Sequence, residues 1–311
     1  MATFARTWAV LANPHTLPTV WRPWLHPRIE VRLMAMPASN LPNVLEIRNL
    51  HVQFGLQPVL RGLDFTVPKG QTLAVIGESG CGKTVLLKTL IGLIRPAQGE
   101  VLFEGQNLSK LNDRELVQER IRFGYLFQNA ALFDSMTIGQ NVAFPLRQHR
   151  KLPELELKRV VLDRLAEVGL PDSVVVKKPA ELSGGMRKRV GMARALILSP
   201  EMMLYDEPTT GLDPIMSDVI NELMMRTRRQ HQVTSLVVTH DMRTARKVAD
   251  RVIMLYPLAR LAAGESQIIF DGPPSELENY PDRRVRQFVR GEAGQRLMEL
   301  REARGVANED L

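Results

Sequence analysis

The stretch that most restricts the fold is "QTLAVIGESGCGKTVLLKTL", residues 71–90: an apolar run, a glycine-rich turn and a helical pattern in immediate succession. Within it, Gly77 to Thr84 read "GESGCGKT" and fit the phosphate-binding pattern G-x-x-x-x-G-K-[ST]. Glycines such as Gly77, Gly80 and Gly82 let the N–H groups around Glu78, Ser79 and Cys81 turn inward on a phosphate. The helix that starts near Lys83 adds its positive end. Lys83 is expected to reach the β- and γ-phosphates and Thr84 to ligate Mg²⁺. An accidental match in a chain of this length has odds of about one per cent or below, given Gly usage near 7%. Cys81 fits here as a small residue where bulk would clash. The helix N-terminus can also lower its thiol pKa, so a thiol reagent is expected to modify Cys81, and nucleotide to slow the modification.

A strand feeding a loop that opens a helix is an α/β signature, and the rest of the chain repeats it. "EMMLYDEP" and "TSLVVTH" are continuous apolar runs, each followed by a helical segment. Strands without in–out alternation, separated by helices, imply a parallel sheet covered on both faces. Before them, "VLEIRNL" and "LDFTV" read as an antiparallel opening. Between about residues 130 and 200 strand signals vanish and helical ones dominate, as in a helical subdomain inserted into the α/β core. "YPLARLAAGESQ" separates two strand-like runs, "RVIML" and "IIFDG", where a tight turn would suffice. Residues 273–311 read as a helical tail with a break at Gly291.

Residues 1–43 stand apart, with six Pro, no Lys and all three Trp (Trp8, Trp21, Trp24). That much proline discourages regular structure, so they read as a disordered extension or as translated sequence upstream of a start at Met34 or Met36. An Arg-rich, acid-poor transit peptide is a further reading, weakened by a single Ser.

Composition narrows the function. The single cysteine, Cys81, excludes an internal disulfide framework and any Cys-based zinc cluster, and fits a reducing compartment. The six His lack metal-ligand spacing, and no apolar run approaches the ~18 residues of a membrane span. A net charge of +7 does not require nucleic acid. Arg187, Lys188 and Arg189 read as a solvated run on an exposed helix face.

Two further motifs suit the phosphate loop. In "MMLYDEP" an apolar strand ends in Asp206, suited to a Mg²⁺ contact, and Glu207 follows, placed to polarise a water beside the γ-phosphate. In "VVTHD", His240 ends another buried strand, at the sheet edge where ligands sit in such folds. Asp213 before Pro214 reads as a helix cap with a first-turn proline. The remaining puzzle is "LSGGM", where Ser183, Gly184 and Gly185 open a helix and offer half of a second anion site.

Taken in order, "GESGCGKT", "LFQN", "LSGGM", "LYDEP", "GLD" and "VVTHD" resemble an ATP-binding cassette (ABC) ATPase over residues 44–272. The resemblance implies an α/β P-loop NTPase (RecA-like) core with an N-terminal antiparallel β subdomain and an inserted α-helical subdomain. It assigns Phe54 to adenine stacking, Gln128 to Mg²⁺ and the attacking water, Glu207 to the general base and His240 to the γ-phosphate. Ser183, Gly184 and Gly185 match the signature that closes over a second subunit's nucleotide, and Asp213 the loop that crosses between subunits. Met186 replaces the usual Gln of the signature and leaves the Ser and Gly donors intact.

The implied cofactors are ATP and Mg²⁺, and the implied partner is a second copy, head to tail. The Gln128 to Ser183 spacing of 55 positions leaves no room for the long coiled coils of DNA-repair ABC proteins. One cassette argues against a translation factor. A transporter ATPase with separate permease chains remains, on the cytoplasmic face of the inner (plasma) membrane. "FQNAALFDSMTIGQNVAFPLRQH" and "PDRRVRQFVRG" are similar to the ATPase of MCE-type lipid transporters, implying lipid cargo and an MCE lipid-binding protein. The alternative is an amino-acid or other small-solute importer. Ala131, Leu132 and Phe133 are expected in the groove for a permease helix, with helical core the competing reading for Phe133.

Overall fold

The computed structural model describes residues 42–293. The expectations for residues 1–43 therefore lie outside the described residues except at their last two positions, as does the helical tail beyond residue 293.

Two sheets form the body. The smaller is antiparallel, in the order β2-β1-β4-β5, from β1 (Asn43–Phe54), β2 (Gln57–Pro68), β4 (Gln98–Phe103) and β5 (Gln106–Asn107). The larger runs β10-β9-β3-β8-β7-β6, from β3 (Thr72–Gly77), β6 (Phe123–Leu126), β7 (Met202–Asp206), β8 (Thr234–Val238), β9 (Arg251–Leu255) and β10 (Ile268–Gly272). Its strands are parallel except β10, which returns antiparallel beside β9.

The continuous apolar runs have a direct cause. Every residue of β3, β7 and β8 is buried, and successive side chains serve different cores. Leu73, Val75, Leu204, Leu236 and Val238 join the core shared with the antiparallel sheet and α1 (Lys83–Leu90). Met203, Tyr205 and Val237 point the other way, into the core of α3 (Ile138–His149), α4 (Glu154–Glu167), α5 (Gly184–Leu196) and α6 (Pro214–His231). Ala74, Ile76, Val252 and Met254 pack with residues of α7 (Met242–Val248) and α8 (Arg283–Arg290).

Helices α3, α4 and α5 occupy the stretch that lacked strand signals, after a short helix α2 (Asp113–Arg120). Sequence alternation had not singled out β4, β5 or β6. They are short, and β6 is paired only at one edge. The stretch from residue 273 opens with a 3-10 turn over Pro274–Asn279 rather than a long helix. Among the described residues of that stretch, the eight of α8 are α-helical, and Gly291 ends them in a left-handed C-cap with φ 69°. Among the described residues, no helix is long and apolar enough to cross a membrane.

Candidate active site

The carboxyl ends of β3, β7 and β8 converge on one cleft of about 360 Å³. It is lined by Ser79, Lys83 and Thr84 of the glycine-rich loop and by Gln128, Glu207 and His240. The loop depends on two glycines for its shape. Gly77 has φ 149°, and a Cβ there would stand 2.3 Å from the Leu255 carbonyl oxygen. Gly82 has φ 99°, and a Cβ would strike Leu60 at 2.6 Å. Lys83 Nζ donates to the carbonyls of Gly77 (2.8 Å) and Glu78 (3.0 Å), closing the loop on itself.

Cys81 corrects an expectation. It is 1% exposed, inside the core beneath the loop, and burial raises its thiol pKa against the pull of Lys83. That direction is opposite to the one the helix end alone would give.

At the base of the cleft, Thr84 Oγ1 donates to Asp206 Oδ1 (3.0 Å) and the Tyr125 hydroxyl donates to Asp206 Oδ2 (3.2 Å). Burial raises the Asp206 pKa, opposed by these two hydrogen bonds. Sequence reading missed Tyr125, whose phenol is itself raised by burial beside that carboxylate. Its signal was position alone: it lies on β6, opposite Leu204 of β7.

Glu207 sits just past β7 in the left-handed region, φ 48°, which costs a non-glycine residue about 1 kcal/mol or more. Several bonds hold it there. Its N–H donates to Val238 O (2.9 Å), and its carboxylate accepts from His240 Nδ1 (2.8 Å) and Thr210 Oγ1 (3.1 Å). Its carbonyl accepts from Lys188 Nζ at 3.0 Å.

That last bond corrects the reading of Arg187–Arg189 as a solvated run at its centre: Arg187 is exposed, and Lys188 is not. Lys188 is 5% exposed, and Nζ also donates to the Gln128 carbonyl. Burial pushes its pKa down to about 8, partly offset by the Glu207 and Asp206 carboxylates. Arg187 donates to Leu182 O and Arg189 to Gly169 O, so all three cations serve backbone carbonyls. The missed signal was periodic: 188 shares one side of α5 with the buried positions 185, 192 and 196, and Val190, Gly191 and Ala193 are buried as well.

Ser183, Gly184 and Gly185 lie elsewhere. Ser183 caps α5, its hydroxyl accepting from Met186 N (3.3 Å). Gly185 packs so closely on α6 that a Cβ would meet Met216 Cε at 2.6 Å. Asp213 caps α6 next to them, accepting from the N–H groups of Ile215 and Met216. None of these residues lines the cleft of the glycine-rich loop. Phe54 ends β1 with 52% exposure and is not among the cleft residues either.

Side chains of α3 and α5 tie down the turn after Gln128. Arg194 donates to the carbonyls of Ala130 and Ala131, and Asn141 exchanges bonds with the backbone of Phe133. Ala131 and Phe133 are exposed, the latter at 43%, whereas Leu132 is partly buried against the helical core. Leu132 packs on the helical core, and Phe133, though exposed on one side, packs its ring on Phe144 at 4.9 Å between centroids.

The profile of the ABC transporter family matches residues 60–210. The chain is 40% identical over 251 residues to the intermembrane phospholipid transport system ATP-binding protein MlaF of Haemophilus influenzae, covering 81% of this chain and 92% of that one. It is also 40% identical over 247 residues to a probable ribonucleotide transport ATP-binding protein, mkl, of Mycobacterium tuberculosis, covering 79% of this chain and 66% of that one. Among solved structures, a dimeric ATP-binding cassette in a post-hydrolysis state bound to ADP and Pi superposes with a TM-score of 0.65. Their identity is 28%, over 74% of this chain and 98% of that one. The cleft, its glycine-rich loop and these likenesses agree: the chain belongs to the ABC transporter ATPases, as an ATP-hydrolysing, ATP-binding subunit.

Proposed function

We propose that two copies of this chain, head to tail, hydrolyse ATP at composite sites and so drive phospholipid transport through separate permease chains. One observation carries the composite site. The glycine-rich loop, Gln128, Glu207 and His240 share a cleft, while the Ser183-capped helix offers its anion-binding end outside that cleft. A half-site of that kind gains a phosphate only from another molecule.

In this reading the loop N–H groups from Gly77 to Thr84 and the Lys83 ammonium hold the β- and γ-phosphates. Phe54, half exposed at the end of β1, stacks on the adenine. Thr84 Oγ1 and Asp206 Oδ1 are hard oxygen donors that suit Mg²⁺, with Gln128 beside them, and the ion supplies charge neutralisation at the phosphate oxygens. Glu207 takes the proton of the attacking water as the γ-phosphorus–oxygen bond to ADP breaks. His240 orients that carboxylate through the 2.8 Å contact and faces the γ-phosphate. Ser183, Gly184 and Gly185 of one copy close on the nucleotide of the other, with Asp213 beside them at the boundary. Binding of ATP then favours the pair, and hydrolysis releases it.

The exposed Ala131 and Phe133, on a turn pinned by Arg194 and Asn141, serve as the permease contact. Phospholipid as cargo rests on the likeness to MlaF, and an MCE lipid-binding protein is the implied third component. The equal identity to mkl makes a ribonucleotide the competing cargo. The test is purification in mild detergent with the co-purifying membrane chains, followed by reconstitution into vesicles. ATP-dependent transfer of a labelled phospholipid, abolished by Glu207→Gln, is the expected result. ATP-dependent movement of a labelled ribonucleotide with no lipid transfer would replace this reading.

A further inference from the structure

The loop between β9 and β10, longer than a hairpin needs, is built onto the phosphate loop. Its 3-10 turn, Leu258–Arg260, presents Arg260, whose Nη1 donates to both carboxylate oxygens of Glu78, at 2.9 and 3.0 Å. At the other end of the loop, Gln267 is fully buried, and its Nε2 donates to the carbonyls of Cys81 (3.2 Å) and Val59 (3.1 Å). The loop is braced from outside as well. Arg61 donates to Glu265 O (3.0 Å) and its N–H to Gln267 Oε1 (2.9 Å), while Arg284 of α8 pairs with the Glu265 carboxylate at 2.6 Å. A segment fixed at so many points holds one side chain in place at little entropic cost.

Glu78 is an awkward residue for its position. It is the second residue of the loop assigned to the polyphosphate, so it adds a negative charge next to the site of an anion. Like charges in a half-buried site repel appreciably. Arg260 answers that charge, with side-chain exposures of 16% for the arginine and 29% for the glutamate.

We propose that Arg260 is a positioning residue for nucleotide binding: its guanidinium neutralises Glu78 and keeps the phosphate loop electrostatically receptive to ATP. The proposal rests on the assignment of residues 77–84 as the phosphate loop. It adds a cation from outside that loop, supplied by the β9–β10 insertion.

The test is equilibrium titration of the full chain with ADP and with a non-hydrolysable ATP analogue. Arg260→Gln is expected to weaken the analogue about threefold to tenfold, and ADP, with less charge, by a smaller factor. The loss should shrink at high salt. Combining Arg260→Gln with Glu78→Gln should return affinity to within about twofold of the natural chain, because the net charge at that point is again zero. A double variant as weak as Arg260→Gln alone, or no loss in Arg260→Gln, overturns the proposal. If Arg260→Gln folds poorly, Arg260→Lys decides: affinity kept within about twofold supports charge neutralisation, and a fall to the level of the glutamine variant overturns it. Lys83→Ala tests the underlying assignment separately. Were it to bind the analogue normally, the phosphate-loop assignment would fail whatever Arg260 does.

Discussion

Replacing Lys188 by Met separates the stability of the site from its chemistry. Methionine keeps an unbranched stem, one heavy atom shorter, and removes the ammonium. Holding that ammonium charged moves its pKa from 10.5 to about 8, a penalty of about 3 kcal/mol at neutral pH. Against this gain, the carbonyls of Gln128 and Glu207 lose their shared donor, at about 1–3 kcal/mol each. The two effects nearly cancel, so the variant should unfold within about 2 kcal/mol of the natural chain in denaturant titrations. Turnover should not be spared. The Glu207 peptide sits at φ 48° and loses one of the contacts that hold it there. A carboxylate displaced by about 1 Å from its working position loses roughly 10²-fold in rate, and we expect a fall of at least tenfold.

Linkage gives a second readout. The folded-state pKa lies below the unfolded one, so the penalty is complete below pH 8 and fades as pH rises toward 10.5. Relative to Lys188→Met, the natural chain should therefore gain stability across that window. The assays are denaturant titration from pH 7 to 10 and steady-state phosphate release at pH 7.5. Unchanged turnover in a folded variant, or a stability difference flat across that window, would refute the reasoning.

Other outcomes follow from the same geometry. Glu207→Gln should bind ATP and accumulate as a nucleotide-bound dimer while losing about 10²- to 10⁴-fold in turnover, as phosphate release and size-exclusion chromatography would report. Cys81, 1% exposed, should resist an aromatic disulfide reagent in the folded chain and react on unfolding. Fast labelling at neutral pH, slowed by nucleotide, would restore the original expectation. Phe133→Ser should weaken retention by the permease chains in a detergent pull-down, by more than the modest fall in thermal midpoint that follows from losing the contact with the Phe144 ring 4.9 Å away.

Local order made much of this legible in the sequence. The loop "GESGCGKT", the acidic pair Asp206–Glu207 and the cap at Ser183 each state their chemistry within a few residues, and β3, β7 and β8 announce burial by unbroken apolar runs. What failed was long-range. Lys188 looked solvated because its neighbours Arg187 and Arg189 are charged, yet its partners lie 60 and 19 positions away. Cys81 was judged by the helix start beside it, when the overlying core decides its pKa. The contact of Arg260 with Glu78 spans 182 positions and carries no local pattern. Edge strand β6 and the two-residue β5 are too short for alternation to register.

Complementation between two dead variants tests the shared pocket most directly. Ser183→Arg spoils the cap donated to the partner, and Glu207→Gln spoils the base of its own cleft; each alone should be nearly inactive in phosphate release. Mixed one to one, half of the pairs combine the two variants, and each such pair holds one intact pocket, so about a quarter of natural turnover per chain should return. Turnover that stays at the level of the separate variants, or a Ser183→Arg chain that hydrolyses ATP at full rate alone, would contradict a pocket built from two copies.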